Sequence, residues 1–397
     1  MHNDLRIFLK NPFGLGLFRV ILALAVVIFH SGLIFGIQII DGVIAVESFY
    51  IISGFLMTLI LTQKYHSYDV FIINRILRLY PAYLCVLFLS VIISMISYII
   101  TSNGMLLQQW IENFYYLDIK TILILLFTNF LIIGQDIILF LGINEEGSLF
   151  FTPDFWQVNL PAWKFLLVPQ AWTISIELVF YLIAPFLVNW KTRSLAVLFM
   201  ASFGLRMYFY TYLGLSGDPW NYRFLPFELI FFILGILSFR LYLKFKELNV
   251  DFRNLNKFSG LLFISILLFN VIPFDNIIKM IFIYVLILFT LPLLFNQSNQ
   301  SSFDKKIGDY SYPIYIGHYL VISVLTALSL TGIIWSSLFG VISIISAIAF
   351  AAFLLRFIEQ PVDKVRYQIG VRVSEFILLH KKNLSKLFYR KMSEKKL

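Results

Sequence analysis

Arg19 and His30 stand eleven positions apart on one long apolar segment. At about 100° per residue, eleven steps return to nearly the same helical face and put the guanidinium roughly 16 Å from the imidazole. An imidazole can take a proton from a hydroxyl near neutral pH, and a guanidinium can hold an anion. The same spacing predicts His30 near a bilayer midplane, where an ionisable side chain is costly and marks a functional site.

Arg75 and Arg78, in Asn-Arg-Ile-Leu-Arg-Leu-Tyr-Pro, share a helix face just before Pro81. Two guanidinium forks on one face suit a polyanion such as the diphosphate of coenzyme A. They suit equally a lipid headgroup or ordinary anchoring at a cytoplasmic helix end. Glu47 opens a run to Phe55 in which Ser53 and Gly54 permit close helix approach. Glu177, in Trp172 to Pro185, has a carboxylate that can orient an imidazole, accept from sugar hydroxyls or join a structural network. His318 reads equally as a buried inter-helix hydrogen-bonding residue and as a second catalytic group, and Glu359, Arg206 and Glu228 complete the intramembrane ionisable set. Nothing resembles GxxxxGK[ST], HExxH or GxSxG, which removes the commonest nucleotide, zinc-hydrolase and serine-hydrolase readings. The single cysteine, Cys85, excludes an intramolecular disulfide and a cysteine-based metal site, and no metal is expected.

The elements that must position these groups are membrane helices. With 60% hydrophobic and 13% charged residues and a mean hydropathy of +0.85, a chain of 397 residues is too apolar for a water-soluble surface. The long continuous apolar runs lack the alternation of an outer-membrane barrel, so the predicted fold is all-α and polytopic. The net charge of +9 sits in short loops and after Arg356, the pattern of cytoplasmic loops, so no nucleic-acid partner is expected. Arg6, Lys10 and Arg19 before the first apolar run resemble the start of a signal peptide, but no convincing small-residue cleavage site follows, and the run reads as a retained first helix.

Predicted spans are 17 to 40, 43 to 62, 79 to 100, 171 to 190, 194 to 213, 224 to 243, 258 to 273, 277 to 295, 310 to 330 and 334 to 356. The stretch 121 to 143, interrupted by Gln135 and Asp136, is ambiguous. If it crossed, the basic loop from Arg240 to Lys257 would lie outside and Glu145, Glu146 and Asp154 inside, inverting the Lys/Arg bias. The prediction is therefore about ten transmembrane helices with both termini cytoplasmic, and 121 to 143 re-entrant or flat. Residues 101 to 170 become an outer region whose Trp110, Tyr115, Tyr116, Trp156 and Trp163 suit the interface or stacking on sugars. Asn296 to Ser302 reads as a polar cytoplasmic loop. Residues 1–366 form one membrane domain and 367–397 a basic cytoplasmic tail.

Together the segments resemble the acyltransferase family 3 membrane O-acyltransferases. The resemblance rests on Arg19 with His30, Glu47 to Phe55, Arg75 and Arg78 with Pro81, Trp172 to Pro185, Gly308 to His318, and Ile358-Glu359-Gln360-Pro361, in the family's order. Ala45, Ser48, Asn74 and Leu178 depart from the family's usual residues. The resemblance implies ten membrane helices in a bacterial inner membrane, surrounded by lipid. It also implies transfer of an acyl group, usually acetyl, from cytoplasmic acyl-CoA to a hydroxyl of a cell-surface or lipid-linked polysaccharide. Some relatives carry a further periplasmic domain; this chain is expected to act alone or with a separate partner.

A sugar hydroxyl must lose its proton as it attacks a thioester, so one positioned base is the minimum, and His30 is the candidate, acting directly or through an acyl-imidazole. Arg19, Arg75 and Arg78 would hold the CoA phosphates and Glu177 would orient His30 or the acceptor. A transporter or flippase of the polysaccharide pathway, or a structural subunit of an assembly complex, is the rival reading.

Overall fold

The computed structural model describes residues 14–32, 39–64, 67–329 and 338–376. Arg6, Lys10, the side chain of Arg253 and the tail beyond Phe376 lie outside the described residues. Continuous apolar runs set the helices: α1 Leu15–Ser31, α2 Gly42–Gln63, α3 Tyr68–Thr101, and the short α4 Gln108–Asn113. Then come α5 Ile119–Leu131, α6 Gln135–Ile138, and an antiparallel hairpin of β1 Leu141–Ile143 with β2 Leu149–Phe151. The second half holds α7 Trp172–Leu187, α8 Thr192–Thr211, α9 Leu225–Glu247, α10 Phe252–Leu267 and α11 Asn276–Gln300. It ends with α12 Ser302–Gly308, α13 Ser311–Ser329 and α14 Phe339–Leu354, which continues through a π-helical turn at Leu355–Glu359.

Among the described residues, 8 helical runs are long and apolar enough to cross a membrane. The all-α, multi-pass character is as predicted, with the small hairpin as an addition; two of the ten expected spans are shorter. Helix α1 has 17 residues because Gly32, at φ 90°, ends it well before residue 40, and α10 has 16 because the chain turns after Leu267. Helix α11 runs on to Gln300 with Gln297 and Ser298 buried, so the expected loop at Asn296 to Ser302 is mostly helix.

The ambiguous stretch forms α5, 13 residues and roughly 20 Å long, stopped by Ile132 at φ 66° and Gly134 at φ 91°. That is short of the ~20 residues a crossing needs. The polar pair that interrupts the run then anchors it. Gln135 donates to Thr128 O (3.2 Å) and to the Tyr83 hydroxyl (3.0 Å), and Asp136 accepts from Ser175 (2.6 Å). Asn129 ties the same turn to the segment before α7, accepting from Leu167 N (2.7 Å) and donating to Phe165 O (3.0 Å).

Long helices alternate between two ends of the bundle. At one, Arg240 donates to Thr192 (2.8 Å) and to the Val188 and Trp190 carbonyls, closing the link between α7 and α8. Tyr68, at the start of α3, packs there on Phe186 near the end of α7, with ring centroids 6.2 Å apart. At this basic end Asp304 of α12 receives Gly16 N (2.8 Å) and Leu17 N (2.9 Å), satisfying two orphan donors of α1 and meeting its positive dipole end. Residues 102–171 cover the opposite end, the loop end. There Asp118 caps α5 and accepts from Ser148, bonds to its charged form that hold its pKa below the usual carboxylate value.

Helices α2 and α9 touch backbone to backbone. A Cβ on Gly54 would lie 2.2 Å from the Phe232 carbonyl oxygen, and one on Gly235 2.1 Å from that of Ile51. Beside this crossing the Phe180 and Phe232 rings stack with centroids 3.9 Å apart. Gly54→Ala is expected to force the helices apart at a cost of about 1–3 kcal/mol. Thermal melting in detergent should show a lower midpoint, and an unchanged melt would contradict the close crossing.

Candidate functional site

Two cavities lie back to back in the bundle. The first, about 360 Å³, opens toward the basic end and gathers Arg19, Lys64, Arg75, Arg78 and Arg366, with Glu177 and Asp309 as its carboxylates. Each comes from a different reason of sequence. Arg75 and Arg78 share a face of α3 through their spacing of three, and Arg19 is one turn inside α1, beside the close contact of Gly16 with α12. Arg75 is 7% exposed. Among the described residues, neither Arg19 nor Arg78 has a hydrogen bond or an ion pair within 4 Å, and both line this cavity. Glu177 accepts from Ser53 of α2 (2.6 Å) and from Tyr181 one turn along α7 (2.6 Å). Ser53, a further candidate site residue on the sequence as well as a small residue easing packing, thus meets a carboxylate of the cavity, while Gly54 makes the close helix contact.

The second cavity, about 380 Å³, faces the loop end and is aromatic: His30, Trp156, Trp163, Trp172, Tyr222 and Tyr319 line it, with Asp218 and Arg223. His30 lies in the last turn of α1, which stops at Ser31, and is exposed to this cavity. Its Nδ1 is 2.9 Å from the Val26 carbonyl. A carbonyl only accepts, so in the neutral ring Nδ1 carries the hydrogen and Nε2 presents a lone pair. His318 repeats the arrangement fully buried, with Nδ1 2.5 Å from the Tyr315 carbonyl and Nε2 without a hydrogen-bond partner among the described residues. The two rings are 5.0 Å apart between centroids.

Arg223 grips Asp218 through two bonds (2.5 and 2.9 Å) and lies over the Trp172 ring at 4.5 Å. Burial pulls its pKa down, but Tyr222 and Asp218 outweigh burial and hold it above the usual arginine value. Of the five aromatics expected to serve the interface or sugars, Trp156 and Trp163 line this cavity. Trp110 is instead a buried anchor donating to Phe165 O (2.8 Å), Tyr116 bonds the Asn144 carbonyl, and Tyr115 is fully exposed.

Several sequence candidates lie elsewhere. Glu177 lines the first cavity and its bonds run to Ser53 and Tyr181, so it does not reach the His30 ring to orient it. Glu47 lines neither cavity: fully buried, it pairs with Arg206 (3.3 Å), which also faces Glu228 (3.8 Å), and accepts from Tyr284. This network ties α2, α8, α9 and α11 together. Glu359 sits in the π-helical turn, outside both linings, with Oε1 buried and without a hydrogen-bond partner among the described residues. No three His, Cys, Asp or Glu side chains among the described residues converge on a metal-sized site. Sequence reasoning missed Tyr315, Tyr181, Arg223 and Asp218. Tyr315 and Tyr181 lay within quoted motifs without a role, and the Asp218 to Arg223 pair was a polar island between two apolar runs.

A sequence model described as an acyltransferase domain, acyltransferase family 3, matches residues 13–356, and so covers the lining of the second cavity and that of the first except Arg366. The chain belongs to this family. It is an acyltransferase, and its apolar helices make it a multi-pass membrane protein. A protein of Staphylococcus aureus strain COL named "Putative O-acetyltransferase" is 25% identical over 387 residues, 88% of this chain and 57% of the relative; the same figures hold for strain N315. An uncharacterized protein of Aquifex aeolicus is 25% identical over 229 residues, 55% of this chain and 93% of that relative. The acyltransferase thus spans a little over half the length of the staphylococcal relatives. No solved structure matches it.

Proposed function

We propose that this acyltransferase moves an acyl group, acetyl first among them, from acyl-CoA at the basic end to a hydroxyl of an envelope polysaccharide at the loop end of a bacterial cytoplasmic membrane. One observation carries the reading: a cavity rich in arginine and a cavity rich in tryptophan, the latter presenting His30, meet inside one bundle. Arg19, Arg75 and Arg78 bind the CoA phosphates as charge-assisted forks. The aromatic rings of the second cavity cover the apolar face of a sugar while Asp218 and Arg223 meet its hydroxyls. His30 Nε2 takes the proton as the hydroxyl oxygen attacks the thioester carbonyl carbon; the C–S bond breaks and the CoA sulfur is released as thiol once reprotonated. Glu177 is a positioning group of the donor cavity, His318 supports His30, and Glu47 and Glu359 serve the scaffold.

Purified protein in lipid nanodiscs, given acetyl-CoA and a polysaccharide fraction, is expected to release CoA thiol in proportion to acceptor. A transporter or flippase would leave acetyl-CoA intact, and that result would displace the proposal.

A further inference from the structure

The two cavities share two lining residues, Val46 and Tyr315. Tyr315 is 7% exposed and its ring is fixed from both sides. The hydroxyl meets Thr173 Oγ1 at 2.7 Å and donates to the Gln170 carbonyl at 3.2 Å when it is the acceptor in the Thr173 bond. Gln170 Nε2 in turn donates to the Ile316 carbonyl (2.5 Å), clamping the start of α7 to the α13 backbone beside Tyr315. The ring edge packs on Phe49, with centroids 6.1 Å apart. The Tyr315 carbonyl also receives His318, so the residue that stands between the cavities sets the tautomer of the histidine next to His30.

We infer that Tyr315 is the partition that decides between transfer and hydrolysis. The inference rests on the donor and acceptor cavities proposed above. If donor and acceptor occupy different cavities, carbonyl carbon and hydroxyl oxygen must approach to about 3 Å before bonding, and the shared wall is where that approach occurs. A thioester reached there by water gives the competing reaction: water oxygen bonds to the carbonyl carbon, the C–S bond breaks, and free carboxylate, CoA thiol and a proton result. A wall to which Tyr315 and Val46 both contribute keeps the water of the aromatic cavity off the thioester until an acceptor hydroxyl fills the gap. Tyr315 is thus a specificity-determining residue for the nucleophile, acting by shape.

The test compares the ratio of free acetate to acetyl ester formed from labelled acetyl-CoA plus acceptor, a ratio indifferent to the yield of folded protein. Tyr315→Ala is expected to raise it at least about tenfold, Val46→Ala, which thins the same wall and removes only two methyl groups, about threefold, and Tyr315→Phe less than about twofold. Native ratios in both alanine variants would overturn the inference, as would folded alanine variants that consume no acetyl-CoA at all. A Tyr315→Phe variant as hydrolytic as Tyr315→Ala would also overturn it by assigning the effect to the hydroxyl. Native protein that forms no ester refutes the two-cavity function itself, and the inference with it; native transfer with unaltered variants refutes the inference alone.

Discussion

His30→Ala is expected to lower acyl transfer by about 10²- to 10⁴-fold, the range for removing a positioned general base, while leaving acyl-CoA binding within about twofold. The separation follows from geometry: His30 faces the aromatic cavity, and the arginines line the other. Its fold cost is small, since the side chain is exposed to the cavity and its hydrogen bond among the described residues is to Val26 in its own helix. Steady-state kinetics with the purified variant should therefore show a fall in kcat at nearly unchanged KM for acyl-CoA. A large rise in KM with intact kcat would move His30 from the chemistry to donor binding.

Arg78→Ala is expected to do the reverse. A charge-assisted bond to a phosphate is worth about 1.5–3 kcal/mol, so KM for acyl-CoA should rise about 10- to 150-fold with a much smaller change in kcat. Arg78 is the cleaner probe of the pair because it has no hydrogen bond or close ion pair among the described residues, whereas Arg75 is nearly buried and its loss would mix binding with packing. Arg240→Ala is the control at the same end: its bonds go to Thr192, Val188 and Trp190, outside the cavity, so it should lower the melting midpoint without raising KM. Equal KM effects from Arg78 and Arg240 would mean that the basic end attracts the donor only through its general field.

Much of this architecture is legible in the amino-acid order because lipid leaves so few choices. Long apolar runs become helices, and the bias of Lys and Arg toward one side already argued against a crossing at 121 to 143, where a 13-residue helix stands. Spacing grouped Arg75 with Arg78 correctly, since both lie on one face of one helix. Spacing says nothing of where a helix ends: Gly32 stops α1 two residues after His30. Pairings between helices were beyond a single chain's pattern. Nothing local tells Ser53 that its partner is Glu177, 124 positions away, or Glu47 that it will meet Arg206 and Tyr284 and belong to the scaffold. Tyr315 was invisible for a similar reason: one tyrosine in an aromatic motif becomes a partition only when cavities form on both sides of it.

The central claim, that this membrane acyltransferase uses His30 to pass an acyl group to a glycan hydroxyl, is tested most directly by following label from acetyl-CoA into envelope polysaccharide. Membranes carrying the native chain are compared with membranes carrying His30→Ala at matched expression. The account predicts a base-labile ester with the native chain and at least about 10²-fold less with the variant. Equal labelling by the two chains would contradict it.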